Sequence, residues 1–227
     1  MSMRRFAVGI AALSALAGAA QAFVPWSNTN GSTPMFSWTG GGSDNGLFGS
    51  PVIAGNTFIF TPSNFRAQSD GGNGYGMHIV GDRLEVTLTM AAGFKFDGIR
   101  IREFGDYGVF GAGSFVAVTG TLFAYDLINP NLYQDDLATT PGSPINSGFG
   151  SWNGLAEIDT STVAPGITMV RIVLDNNLFA YSPTSGVGGS FIEKKFVDAG
   201  IRIDILPAPG ALALLGVGGL VASRRRR

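Results

Sequence analysis

The sequence predicts an all-β body, folded as an antiparallel β-sandwich or jelly roll, and three observations predict it. Apolar and polar residues alternate with a period of two over several stretches, the pattern of strands with one wet face. The 227 residues include 34 glycines, which tolerate the positive φ of tight turns cheaply. No window of the body carries a long amphipathic helix, so strands joined by turns are favoured over a parallel sheet with helical crossovers. A short C-terminal transmembrane helix is expected in addition.

Three segments follow from this reading. Residues 1–22 read as a signal peptide, residues 23–206 as the β-sandwich body, and residues 207–227 as a separate C-terminal tail. The body is long enough to bury a real core as one domain.

Along the body, residues 23–56 are rich in Gly, Ser, Asn and Pro. They are expected as an irregular arm or as short strands laid over the core. Residues 56–61 read as a strand ended by Pro62, and residues 69–76 as a turn. The clearest strand covers 83–90, with Leu84, Val86, Leu88 and Met90 on one side and Arg83, Glu85, Thr87 and Thr89 on the other. Residues 97–103 repeat the logic, with Ile99 and Ile101 inward and Arg100 and Arg102 outward. Residues 114–125 are apolar or small on both faces, as a central strand is. Residues 168–174 and 200–205 supply two more strands through Val170, Ile172 and Leu174 and through Ile201, Ile203 and Ile205. Residues 129–165, with Pro130, Pro141, Pro144 and Trp152, read as a long irregular loop.

Charge and composition narrow the function. Charged residues make up only 14% of the chain, and the formal net charge is −1. Six of the arginines lie in the two terminal segments, so the body between them is strongly acidic. An acidic body does not suggest a nucleic-acid binder, which normally needs a basic footprint. The chain has no cysteine. Disulfides, Cys-ligated metals and thiol nucleophiles are therefore excluded, and an exported domain is expected to be held by packing alone.

The N-terminal segment has the parts of a secretory signal. Arg4 and Arg5 precede an apolar run, and Ala20-Gln21-Ala22 places small residues at the positions that signal peptidase reads. Cleavage is expected after Ala22. At the other end, Pro207-Ala208-Pro209 is expected to end the last strand. The uncharged run 210–222 follows, and Arg224, Arg225, Arg226 and Arg227 close the chain. As a helix this run rises about 20 Å, less than the roughly 30 Å of a hydrocarbon core. It is expected to insert briefly in the inner membrane, with the arginines on the cytoplasmic side.

The proline motif, apolar run and basic cluster resemble the PEP-CTERM protein-sorting tail of Gram-negative bacteria, with Ala208 where that motif carries Glu. The resemblance covers only about the last 21 residues of the chain. It implies processing by an exosortase-like membrane enzyme and a link to exopolysaccharide or biofilm matrix.

Candidate sites within the body are few. His78 is the only histidine, and a Ser114–His78–Asp106 arrangement lacks any nucleophile-elbow signature. Glu85, Glu103, Glu157 and Glu193 are the glutamates available for paired-carboxylate chemistry. Arg83, Arg100 and Arg102 lie near enough in sequence to serve as salt-bridge partners instead. Asp70 with Asn73, and Asp135 with Asp136, offer oxygen ligands for calcium without matching a calcium loop. No cofactor and no catalytic residue is expected. Trp26, Trp38, Trp152 and Phe149 carry apolar ring faces that can stack on sugars or plug the ends of the sandwich.

The expectation is thus a non-catalytic structural protein of the cell envelope, outer surface or extracellular matrix. Its expected partners are signal peptidase, an exosortase-like enzyme and exopolysaccharide. A carbohydrate-binding β-sandwich module is the alternative, and a polysaccharide hydrolase is a third reading.

Overall fold

The computed structural model describes residues 23–163, 166–183, 188–195 and 200–210. Every regular element among them is a strand. In chain order these are β1 (Val24–Pro25), β2 (Gly31–Ser32), β3 (Phe36–Ser43), β4 (Val52–Ala54) and β5 (Thr57–Phe60). There follow β6 (Arg66–Ser69), β7 (Gly76–Met90), β8 (Phe94–Phe110), β9 (Phe115–Asp126) and β10 (Leu132–Asp136). The last five are β11 (Ala138–Thr140), β12 (Gly148–Asp159), β13 (Met169–Ser182), β14 (Gly189–Lys194) and β15 (Ile201–Pro209).

They form two antiparallel sheets. The first has the order β1-β3-β7-β13-β9-β10, with β2 on β3. The second has the order β11-β12-β8-β15-β5-β4, with β14 on β8 and β6 on β14. The all-β, antiparallel two-sheet body stands as the sequence predicts.

The period-two strands face the core as expected. Leu84, Val86, Leu88 and Met90 of β7 are buried, as are Ile99 and Ile101 of β8 and Ile201, Ile203 and Ile205 of β15. Aromatic rings fill one region between the sheets. Trp26 packs against Phe58 and Phe60, Trp38 against Phe36 and Phe58, and Phe48 against Phe60 and Phe65. Edge and tilted contacts of this kind add to the apolar burial of the rings.

Two expectations are corrected. The long loop over 129–165 contains β10, β11 and the 12-residue β12. β12 pairs with β8 from Gly148↔Val109 to Asp159↔Gly98. Its glycines look like loop residues in sequence, yet Gly150 and Gly154 clear space for neighbours. A Cβ at Gly154 would lie 2.9 Å from Leu137 side-chain carbons.

The second correction concerns the C-terminus. The expected transmembrane helix is not supported: no helix long and apolar enough to cross a membrane occurs among the described residues, and residues 211–222, most of the run expected to form it, lie outside them. Pro207, Ala208 and Pro209 do not leave the last strand but finish it, paired with Phe96, Lys95 and Phe94. The prolines fit because β5 pairs only with Ile201–Asp204 of this strand. Beyond that point one flank carries no further ladder from β5, and a missing N–H costs little there. A register shift between Leu206 and Pro207 eases their entry. Gly210 follows in backbone contact, its N–H donating to the Gly93 carbonyl at 2.7 Å. The signal segment, with Ala20 and Ala22, and residues 211–227, with Arg224, Arg225, Arg226 and Arg227, lie outside the described residues.

Candidate functional site

Strand β8 organises the outer face of the second sheet. One of its flanks pairs with β12 along most of its length, and the other passes from β15 to β14. At the β14 end, four strands lie side by side. Phe149 of β12, Gly108 of β8, Phe191 of β14 and Gln68 of β6 share one register row. The next row holds Ser151, Asp106, Glu193 and Arg66.

The first row carries the rings of Phe149 and Phe191, with Phe110 two residues beyond Gly108 on β8. Phe149 is 69% exposed and Phe110 44% exposed. Their ring centroids are 5.6 Å apart and their planes differ by 13°, so they stack nearly parallel. Gly108 makes this possible. A Cβ there would lie 2.5 Å from Phe191 Cε1 and 2.8 Å from Phe149 Cδ1. On the far side, the Arg66 guanidinium lies over the Phe191 ring, 4.4 Å from its centroid.

The second row is a chain of charged and polar contacts. Ser151 Oγ donates to Asp106 Oδ1 at 3.0 Å. Lys195 Nζ binds Asp106 Oδ2 and lies 3.3 Å from Glu193 Oε1. Arg66 donates to Glu193 Oε2 at 2.8 Å and to Gln68 Oε1 at 2.9 Å. Gln68 in turn donates to Asp70 Oδ2 at 2.5 Å. The hydrogen bond from Lys195 holds the Asp106 carboxyl below its ordinary range, against the opposing effect of burial. The same contact, with Glu193, pushes the Lys195 ammonium up. A general acid needs the opposite shift. This row offers fixed donors and acceptors.

The remaining sequence candidates fall elsewhere. Trp26, Trp38 and Trp152 are 4%, 6% and 1% exposed, so these three rings have no open face for a sugar. They are large and mostly apolar, and the core takes them. Phe149 alone of the four aromatics presents its ring outward. His78 lies on β7 of the first sheet opposite Ala180, whereas Asp106 lies on the outer face of the second. Ser114 is buried ahead of β9. The three are not brought together.

Each glutamate meets a cation. Glu85 faces Arg83 and Arg171, Glu157 binds Arg100 at 2.7 Å, and Glu193 binds Arg66. Glu103 is fully buried and meets Lys194, not a neighbouring arginine. Asp70 closes a turn on Gly72 and Asn73, while Asp135 and Asp136 bond to Glu157 N and Thr121 Oγ1. No group of three or more His, Cys, Asp or Glu suited to a metal occurs among the described residues.

Sequence reasoning missed Phe110, Phe191, Arg66 and Lys195. They are distant in the chain, and only the pairing of β8 with β12 and β14, and of β14 with β6, assembles them.

Two other surface features are present. Phe115 and Tyr181 form a tilted pair on the first sheet, 5.2 Å apart at 30°. A polar cavity of about 390 Å³ is lined by Asp44, Asn45, Gly81, Asp82, Arg83 and Asp175 among others. The Phe110–Phe149 face differs from both in joining exposed, near-parallel rings to a fixed polar row.

No protein-family model matches the chain, and no curated protein matches it. Among solved structures, it is similar to TmCBM61 in complex with β-1,4-galactotriose, at 8% identity and TM-score 0.26, over 79% of this chain and 97% of that one. A family 11 carbohydrate-binding module from Clostridium thermocellum, in complex with a β-1,3-1,4-mixed-linked tetrasaccharide, matches at 13% identity and TM-score 0.15, over 64% and 88%. The enzymatically active domain of bacteriophage CBA120 tailspike protein 4 matches at 13% and TM-score 0.23, over 78% of this chain and 19% of that one. These TM-scores are low.

Proposed function

We propose that the body is a non-catalytic carbohydrate-binding module that grips a polysaccharide on the outer face of its second sheet. The exposed Phe110–Phe149 stack beside the Ser151–Asp106–Lys195–Glu193–Arg66 row carries the reading. Apolar sugar faces pack on aromatic rings, and sugar hydroxyls exchange hydrogen bonds with charged groups held in place. Held ion pairs lose little further side-chain entropy on binding.

The test is affinity electrophoresis of the body in gels cast with different polysaccharides. Retardation by at least one of them is expected. Phe149→Ala, an exposed change, should weaken binding roughly tenfold, equivalent to about 1.4 kcal/mol, with an unchanged melting curve. Retardation that Phe149→Ala leaves intact would place binding elsewhere, and no retardation in any gel would sink the proposal.

The second part of the reading is the protein's destination. The signal segment and the PEP-CTERM-like tail motivate export to the envelope or extracellular matrix, with signal peptidase and an exosortase-like enzyme as processing partners. A glycan-binding body suits a matrix partner such as exopolysaccharide. Intact-mass analysis of the protein from its native envelope decides this. A chain that starts at Phe23 and lacks the basic cluster supports both steps. Retention of Met1 and Arg227 on a cytosolic protein refutes both.

A further inference from the structure

Three side chains that the binding face does not use meet inside the sandwich. Lys194 of β14 and Glu103 of β8 come from the second sheet, and Asn176 of β13 comes from the first. The side chains of Lys194 and Glu103 are fully buried, and Asn176 is 1% exposed. One carboxylate touches both partners. Lys194 Nζ binds Glu103 Oε2, and Asn176 Nδ2 donates to Glu103 Oε1 at 2.7 Å. The Asn176 carbonyl oxygen Oδ1 is buried and has no hydrogen-bond partner.

The surroundings are apolar. The rings of Phe65, Trp152 and Phe48 stand 5.0, 5.5 and 5.8 Å from Lys194 Nζ, measured to their centroids. Gly120 gives Asn176 its room, since a Cβ there would lie 2.9 Å from Nδ2. A charged pair is costly in such a cage unless well bonded, and proton transfer within the pair relieves that cost. Burial pushes the Lys194 ammonium down, opposed by Glu103.

We propose that Lys194 and Asn176 become joined by an intramolecular isopeptide bond, with Glu103 carrying the protons, so that the two sheets are covalently linked. Glu103 first takes a proton from Lys194, leaving a neutral amine beside a neutral acid. The carboxamide of Asn176 can rotate to place Oδ1 against the Glu103 O–H, which polarises the carbonyl; amide oxygen and nitrogen exchange places at little cost in shape. The amine lone pair of Lys194 attacks Asn176 Cγ and forms the new C–N bond. Glu103 passes protons from the attacking nitrogen to the leaving amide nitrogen. The old C–N bond breaks and ammonia departs. A primary amine and a primary amide thus yield a secondary amide and ammonia, with no redox change and no cofactor. Holding the reactants together in a dry site supplies the proximity such a reaction needs. In a chain without cysteine, this gives an exported sandwich the cross-link that disulfides provide elsewhere.

Mass spectrometry of the purified full chain tests this. The protein should be lighter than its sequence by one ammonia. Proteolysis should release a branched peptide joining the segments around Asn176 and Lys194, uncut by trypsin after Lys194. Lys194→Arg and Glu103→Gln should each restore the full mass. The wild-type measurement stands by itself, even where a variant misfolds. Full mass with linear peptides at both positions would overturn the proposal. So would an ammonia deficit confined to an Asn176 succinimide and kept in Lys194→Arg.

Discussion

The carboxylate of Asp82 accepts the backbone N–H of Leu47 at 2.7 Å, and so ties the β3–β4 connection to β7. The same side chain accepts from Ser43 Oγ and from the backbone of Asn45 and Arg83, between 2.8 and 2.9 Å. Asp82 is 5% exposed. Its removal leaves the buried Ser43 hydroxyl and three part-buried backbone N–H groups without this acceptor. Asp82→Ala should destabilise the body by about 3 kcal/mol or more, with Asp82→Asn in between. Urea unfolding reads this as a lower midpoint at unchanged slope.

Trp152 donates its indole N–H to the Glu193 carbonyl at 3.2 Å. It thereby pins β14 to β12 across β8. Trp152→Phe keeps an apolar ring but removes this side-chain donor from the part-buried carbonyl. A loss of about 1–3 kcal/mol is expected. The same unfolding experiment measures it, and an unchanged midpoint would show that the bond is dispensable.

Gly108→Ala probes the platform rather than the core. The added methyl points outward, between rings that must swing apart to admit it. The far ends of Phe149 and Phe191 can move, so folding should be little affected. Glycan binding should weaken roughly fivefold, or about 1 kcal/mol. Affinity electrophoresis beside a thermal melt separates the two effects.

Asp70 should titrate far into acid. The Gln68 amide, followed by the side chain and backbone of Asn73, lowers its pKa from 3.8 to about 2. The sign is that of a depressed carboxylate: its support of the turn is complete above 3.8 and is lost as the pH falls through about 2. A carboxyl-carbon NMR titration should place the midpoint near 2, and Gln68→Ala should move it upward. A midpoint unaffected by Gln68→Ala would assign the shift to the side chain and backbone of Asn73 and the backbone of Gly72.

The alternation of Leu84, Val86, Leu88 and Met90, and of Ile201, Ile203 and Ile205, determined by itself that the body is built of half-buried strands. Side-chain direction in a strand is a local property with a period of two, so sequence carries it. The acidic body and the absence of cysteine were equally plain. Tertiary structure alone decided the rest. β12 reads as loop because its glycines and polar residues carry no strand preference; its ladder comes from β8, distant in the chain. The three tryptophans went to the core because a large apolar ring gains more there than on the surface. Pro207 and Pro209 joined the final strand because its flank beyond Asp204 no longer pairs with β5. Phe110 met Phe149, and Lys194 met Glu103 and Asn176, through sheet register and sheet packing. Those contacts are non-local, and no spacing along the chain encodes which strands become neighbours.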